Sequence, residues 1–317
     1  MKKIILVSVI LFLITALCQP ALTLAGAADG LMIWFEKLLP TLLPFLIAVN
    51  LLQNGDVLTS LLNRFPRKRS IAAALTAAIP GFLFGLPVGA KLTSDFTRKG
   101  LLSPETGNVL LCSCNQLSPA FVGTYVMLQC LNQPNLIGIS YLILYLPPAL
   151  LCLCYLLFYP KDQQAAPIRY HGGIKKNPAK QDSPPASRFP TVFEIMDASI
   201  INGFETITRL GGYLILFGIL CQYLEALLPV TETLRGCLMM VMEVTSGIHY
   251  FSQCEISFPQ KYVLCMTALS FGGLCTHAQT FSVINKAPLS KRVYVLAKLS
   301  LALLTLALSA LVIRILY

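Results

Sequence analysis

Charged side chains are scarce in this chain, and long apolar runs are common. Asp, Glu, Lys and Arg make up only 12% of the 317 residues, whereas hydrophobic residues make up 56% and the mean hydropathy is +0.70. Soluble domains carry about 25% charged residues, and a run of about 20 apolar residues can span a bilayer. The composition therefore excludes an ordinary soluble domain and predicts an all-α polytopic membrane protein.

The motifs of common enzyme classes are also missing. The sequence contains no G-x-S-x-G, H-E-x-x-H or P-loop motif, its three histidines are scattered, and its eleven cysteines form no C-x-x-C pair. Most of the cysteines lie inside apolar segments, where they are typical small buried residues. We expect no enzymatic activity, no metal site, no structural disulfide and no bound cofactor, and the chain alone is not an ATP-driven pump.

The net charge of +10 does not indicate a partner such as nucleic acid. The basic residues cluster at the ends of apolar segments, as in residues 64–69 (RFPRKR), and in the hydrophilic stretch 159–190. Cytoplasmic loops of membrane proteins collect Lys and Arg. The pattern therefore predicts a lipid bilayer as the partner, with the N-terminus and the 159–190 linker in the cytoplasm and the C-terminus outside.

The apolar segments divide the chain into four parts. Residues 1–30 are predicted to form an N-terminal transmembrane helix or a signal-like segment, 31–158 a first repeat, 159–190 a basic linker, and 191–317 a second repeat. An amphipathic lead-in is expected over 191–202. The seven predicted spans are 4–24, 31–62, 108–131, 136–158, 203–228, 261–285 and 293–317.

Two further apolar segments, 71–96 and 235–258, are predicted to be re-entrant hairpins. The first is interrupted by proline and glycine between residues 80 and 89, and basic residues flank it on both sides, so it starts and ends in the cytoplasm. The following span is interrupted at residues 115–119. Irregular backbone at membrane depth is tolerated only where protein buries it or where it lines a wet cavity, so paired breaks indicate a binding site.

The second half repeats this order and, when inverted, satisfies the charge rule. This inverted arrangement places most of the 24 Lys and Arg residues in the cytoplasm and only Lys37, Arg235 and Lys261 in outside loops. Treating both hairpins as full spans would instead place Arg98 and Lys99 outside. We therefore predict an inverted repeat with two re-entrant hairpins and broken transmembrane helices, an architecture typical of transporters.

Candidate substrate-binding residues of the first half lie at its breaks. They offer a cation, neutral donors and acceptors, and close backbone approach. Lys91 either faces an anionic substrate, pairs with Asp95 four residues on, or extends to the interface. The amides either bind a ligand or join helices. This group consists of Pro87, Gly89, Lys91, Asn115, Gln116 and Ser118.

The second half supplies acidic and titratable candidates. Glu243 precedes the break and either couples transport to a cation or a proton, or pairs with Arg209. His277 either relays protons or is a hydrogen-bonded core residue. The coupling ion would be H⁺ or Na⁺. This group consists of Glu243, Thr245, Ser246, His277 and Gln279.

Four segments carry a resemblance to a known family: GLMIWFEKLLPTLLPFLI (30–47), GLPVGAKLTSDFTRKGLLSPETGNVLLCSCNQLSPAFV (85–122), LMMVMEVTSGI (238–248) and SFGGLCTHAQTFSV (270–283). In their order and spacing the chain resembles the YlbJ-like sporulation integral membrane proteins, which belong with the nucleoside-recognition (Gate) domain proteins. The resemblance implies a bacterial cell membrane location, a fold related to concentrative nucleoside transporters, and a dipicolinate-like or nucleoside-like substrate.

Two functions follow as hypotheses. The first is a permease for a small polar, anionic metabolite, acting in sporulation, alone, as a homo-oligomer or with other membrane proteins. The alternative is a non-transporting scaffold or assembly factor in sporulation. A scaffold has no need of Glu243 or Lys91 at membrane depth, so the effect of replacing them distinguishes the two.

Overall fold

The computed structural model describes residues 2–54, 69–158 and 191–316, and the regular structure of these ranges is helical. The prediction of an all-α membrane protein is confirmed. The predicted basic loop before residue 69 and the predicted linker 159–190 lie outside the described residues. We number the helices in chain order as α1 (Lys2–Cys18), α2 (Pro20–Met32), α3 (Leu39–Asn54), α4 (Arg69–Phe84), α5 (Val88–Arg98), α6 (Pro104–Cys114), α7 (Phe121–Cys130, π-helical), α8 (Ile137–Phe158), α9 (Val192–Leu227), α10 (Glu232–Met242), α11 (Val244–Gln253), α12 (Phe258–Phe271), α13 (Gly273–Ile284) and α14 (Lys291–Leu316).

Within the described ranges, three unbroken helices are long and apolar enough to cross a bilayer: Pro134–Phe158, which contains α8, then α9 and α14. A fourth candidate is the pair formed by α1 and α2 with its extension to Leu38, which bends by 106°. The predicted first span, 4–24, is therefore not one straight helix, because the chain turns at Gln19 ahead of Pro20. The other predicted spans consist of shorter helices.

A π-helical turn, Ile33–Leu38, joins α2 to α3, so the chain is helical from Pro20 to Asn54. This long element runs antiparallel to α9. The hydroxyls of Thr23 and Tyr223 lie 2.6 Å apart near one end, and Asn50 Nδ2 donates to Ser199 O at 3.2 Å near the other. Between them, a Cβ on Gly218 would lie 2.4 Å from Gly26 O, so the two backbones meet only because both residues lack a side chain.

In the first half, two helix breaks face each other. The chain reverses between α4 and α5 at residues 85–87, and Gly85 has a φ of +69° that favours glycine. The second break, between α6 and α7, lies against it, since Leu86 N donates to Gln116 O at 2.7 Å. Pro80 and Gly81, predicted to be part of the interruption, lie inside α4 instead.

The second half contains a corresponding pair of breaks. Glu243 alone separates α10 from α11, and Gly272 separates α12 from α13; Gly272 and Gly273 both have a positive φ. The arms of the α10–α11 hairpin touch, because a Cβ on Gly247 would lie 2.2 Å from Met240 N. A Cβ on Gly273 would lie 3.2 Å from Met240 O and from Val244 N, so the second break lies against the hairpin tip.

The order of elements is the same in both halves: a long helix, a helical hairpin, a broken helix pair and a final long helix. The end of α5 lies near the start of α14, because a Cβ on Gly107 of α6 would lie 2.5 Å from Thr97 Oγ1 and 2.8 Å from Leu289 Cδ2, and Ser290 N donates to Asn108 Oδ1 at 2.8 Å. In the second half, Phe251 and Cys254, at and just after the end of α11, belong to one buried cluster with Ile313, near the far end of α14. Opposite directions of the two hairpins, and with them the inverted repeat, remain a prediction.

Candidate functional site

The two halves meet at Asn115, the C-cap residue that follows α6. Its Oδ1 accepts from Ala90 N at 3.2 Å, and its Nδ2 donates to Thr280 Oγ1 at 3.0 Å and to the Tyr294 hydroxyl at 3.1 Å. These partners lie on α5, α13 and α14, so one side chain joins three helices. Asn115 is fully buried, and every polar atom of its amide has a partner.

Beside Asn115, a buried lysine reaches the same break. Lys298 on α14 is 1% exposed, and its Nζ donates to Gln116 Oε1 at 2.6 Å. Gln116 Nε2 donates in turn to Cys112 O and Ser113 O, at 3.2 and 3.3 Å, which orients the amide oxygen toward the lysine. The part of the chain that the structure describes holds no carboxylate within ion-pair distance of Lys298.

An unpaired lysine at this depth is costly, about 2.5–3.5 kcal/mol at the centre of a membrane helix. Its Nζ also lies 5.8 Å from the centre of the Tyr294 ring, which provides weak cation–π stabilisation. One neutral oxygen and one ring do not replace the full hydration of an ammonium group. Lys298 is therefore the strongest centre of uncompensated positive charge in the described core.

His277 lies on the other side of this group, on α13. Its Nδ1 lies 2.9 Å from Gly273 O, and because a carbonyl only accepts, Nδ1 carries the proton in this bond. The other ring nitrogen, Nε2, is buried and has no partner in the structure. The His277 and Tyr294 ring centres are 5.4 Å apart, so the imidazole and the Lys298 ammonium lie against the same aromatic residue.

Glu243 is the third buried ionisable group, and it forms the N-cap of α11. Its Oε1 accepts from Thr245 N at 3.0 Å and its Oε2 from Ser246 N at 2.7 Å, which fills the anion-binding end of the helix. Arg209, the alternative structural partner, pairs with Glu205 at the exposed surface of α9. The carboxylate is thus held by backbone and not by a basic side chain.

The other predicted site residues occupy less central positions. Lys91 is half-buried and its Nζ lies 3.4 Å from Asp95 Oδ2, which is the predicted ion pair. Gln279 donates to Cys275 Sγ at 3.3 Å on its own helix, and Ser118 accepts from Phe121 N at 3.2 Å, at the start of α7. Gly89 permits close packing, since a Cβ there would lie 2.6 Å from Cys114 O, and Pro87 is the N-cap residue of α5.

Sequence reasoning missed three residues of this centre: Lys298, Tyr294 and Thr280. A signal for Lys298 was present, because an isolated lysine inside an apolar span is a functional candidate by default. Tyr294 and Thr280 gave no such signal, because both residue types are common in membrane helices. Only the packing of α13 and α14 against the first-half break identifies them.

Comparison with known proteins gives one relative. The chain is 22% identical to the sporulation integral membrane protein YlbJ of Bacillus subtilis (strain 168), over 333 residues that cover 94% of this chain and 79% of that protein. No protein-family model matches the chain, and no solved structure matches it. The resemblance to YlbJ-like proteins is confirmed, whereas membership of the Gate domain group remains a prediction.

Proposed function

We propose that this protein is a membrane permease for a small polar, anionic metabolite, and that the substrate binds where the helix breaks of the two halves meet. The observation that carries the proposal is the uncompensated Lys298 ammonium at the α6–α7 break. A buried cation without a carboxylate partner favours an anionic ligand, which would complete its coordination. The flanking Asn115, His277 and Tyr294 would contribute hydrogen bonds.

The arrangement also supports alternating exposure of the site. Each break is held by backbone contacts between a hairpin tip and a broken helix pair, and in the predicted inverted repeat the two hairpins would open in opposite directions. Moving one hairpin away from its partner would expose the centre on that side only, as transporters of this architecture require. The core is closed in the structure, because Asn115, Gln116 and His277 are buried.

The substrate classes suggested by the resemblance are dipicolinate-like dianions and nucleosides. The Lys298 centre favours the anion of the two, since a neutral nucleoside would leave the ammonium uncompensated. The similarity to a sporulation integral membrane protein supports a role in sporulation. H⁺ or Na⁺ would be the coupling ion.

Uptake into proteoliposomes tests this function. We expect saturable uptake of radiolabelled pyridine-2,6-dicarboxylate that exceeds uridine uptake and responds to an imposed H⁺ or Na⁺ gradient. A Ser246→Trp substitution, which fills the tip of the α10–α11 hairpin, should abolish uptake. The matched Ser300→Trp substitution should not, because Ser300 lies on an exposed face of α14.

The second candidate function is a scaffold for sporulation proteins, and the similarity to the sporulation integral membrane protein YlbJ supports it as much as it supports transport. A scaffold would show no uptake of either compound by folded, inserted protein. It would also keep its cellular activity after Ser246→Trp, provided that the variant is inserted at the wild-type level. Those two results together would rule out the permease and support the scaffold.

A further inference from the structure

We propose that Lys298 and His277 form a subsite that selects a small carboxylate bearing a hydrogen-bond donor, and that Gln116 Oε1 occupies the position of a substrate carboxylate oxygen in the closed structure. The inference rests on the proposed function, because a ligand reaches Lys298 only if the core opens. It goes further by naming the two chemical groups that the subsite recognises. Pyridine-2,6-dicarboxylate carries the carboxylate but no hydrogen-bond donor, so it should meet the Lys298 requirement alone, as succinate does.

Lys298 specifies the carboxylate. An ammonium has three donor hydrogens, and the described residues supply one hydrogen-bond acceptor, Gln116 Oε1 at 2.6 Å. The remaining donors lie in a core where the side chain is 1% exposed. A carboxylate offers two charged acceptor oxygens in place of one neutral oxygen, so it adds the attraction between opposite charges to the hydrogen bonds that the ammonium makes.

Gln116 is suited to being displaced. Its Oε1 is an amide oxygen, which resembles a carboxylate oxygen in geometry but carries no net charge. Its other end is anchored to the carbonyls of Cys112 and Ser113 at the last turn of α6. The chain continues into the α6–α7 break immediately afterwards, so the glutamine lies on the segment that a moving hairpin would disturb.

His277 specifies the donor. With its Nδ1 proton bonded to Gly273 O, the neutral ring presents Nε2 as an acceptor. That atom is buried without a partner in a side chain that is 4% exposed. Buried polar atoms are nearly always hydrogen-bonded, so an orphaned acceptor beside an under-coordinated cation points to a ligand with both an anion and a hydroxyl or amino group. The His277 ring centre and Lys298 Nζ lie 5.4 and 5.8 Å from the centre of the Tyr294 ring, so both groups border the same aromatic residue.

Malate, succinate and malamide separate the two requirements. Malate has carboxylates and a hydroxyl, succinate lacks the hydroxyl, and malamide lacks the charge. Affinities are measured on purified full-length protein from the ligand-dependent rise in Tm. We expect wild-type protein to bind malate about tenfold more tightly than succinate, and malamide at least about tenfold more weakly than succinate.

Four variants assign the groups. Lys298→Met should weaken malate and succinate binding by about tenfold or more. His277→Asn retains a donor toward Gly273 O but lacks Nε2, so it should reduce malate binding to the succinate level and leave succinate unchanged. Gln116→Leu should tighten both by removing the competitor, and Gln116→Glu should weaken both by supplying a permanent carboxylate. Arg314→Met, an exposed position on the same helix, serves as the control.

We expect Lys298→Met to fold, because it removes a buried charge. Its Tm without ligand should equal or exceed that of the wild type, so a loss of binding would not reflect unfolding. Wild-type affinity for malate in Lys298→Met, or absence of binding of all three compounds to the wild type, would overturn the subsite. Wild-type uptake of pyridine-2,6-dicarboxylate by Lys298→Met would leave the permease intact and remove the subsite. Binding as expected without uptake would do the reverse.

Discussion

At the residue scale, the Glu243 carboxylate caps the N-terminus of α11. Its two oxygens accept from Thr245 N and Ser246 N in a buried position. Glu243→Ala would leave both N–H groups unpaired, so we expect it to lower the free energy of unfolding by about 1–2 kcal/mol. Glu243→Gln should cost less, because its amide oxygen can still accept one of the bonds. Both effects are read from the Tm of the purified protein.

The matched control for this prediction is Glu205→Ala. Glu205 is more than half exposed and pairs with Arg209 on the surface of α9, and exposed ion pairs contribute about 0–1 kcal/mol. A Glu243→Ala variant as stable as Glu205→Ala would show that the N-cap does not hold the α10–α11 tip.

The sequence predicted several of the polar residues at the centre of the protein, but it did not predict which residues they contact. The sequence identified Asn115, Gln116, Glu243 and His277 as polar groups within apolar segments, and the structure buries all four. It could not show that Gln116 meets Lys298, because these residues are 182 positions apart and only the packing of α14 on α6 joins them.

At the scale of elements, the antiparallel packing of α2 on α9 depends on small residues. Gly218 approaches Gly26 so closely that an added Cβ would lie 2.4 Å from a backbone oxygen, whereas a Cβ on Gly212 of the same helix meets nothing within 4 Å. We therefore expect Gly218→Ala to destabilise the protein by about 1–3 kcal/mol. Gly212→Ala should be neutral or stabilise it by up to about 1 kcal/mol. Equal Tm values for the two variants would contradict the close packing.

The helix bounds show what local sequence can and cannot specify. Capping signals were readable: Thr191 and Glu194 form a capping box that starts α9. The predicted lead-in at 191–202 and the predicted span at 203–228 form one continuous helix, α9. Residues 25–30 fall between the predicted spans 4–24 and 31–62, yet they lie in α2, where Gly26 and Gly30 contact α9. That contact is tertiary and is not visible in a local pattern.

At the scale of the whole molecule, the central claim is that the helix breaks line a site that water and a ligand can enter. Contacts place Gly107 and Asn108 beside residues 289 and 290, at the end of the bundle where α14 begins. Leu131, Leu136 and Cys254 belong to one cluster with Ile313, near the other end of α14. The charge rule assigns the first end to the cytoplasm. Both the sidedness and the wet centre are accessible to one type of experiment.

The most direct test is labelling of single cysteines in intact cells with a small, membrane-impermeant thiol reagent, in a variant whose eleven native cysteines are replaced. Asn135→Cys should react in intact cells and Lys286→Cys only after permeabilisation, which establishes the two sides. Ser118→Cys and Ser246→Cys at the breaks, with Ser94→Cys and Thr276→Cys deeper in the core, report on the centre. We predict labelling at Ser118 and Ser246 that pyridine-2,6-dicarboxylate or malate slows. Complete protection of all four break and core positions, in folded protein with both end controls reacting as expected, would mean a dry core and would contradict the permease.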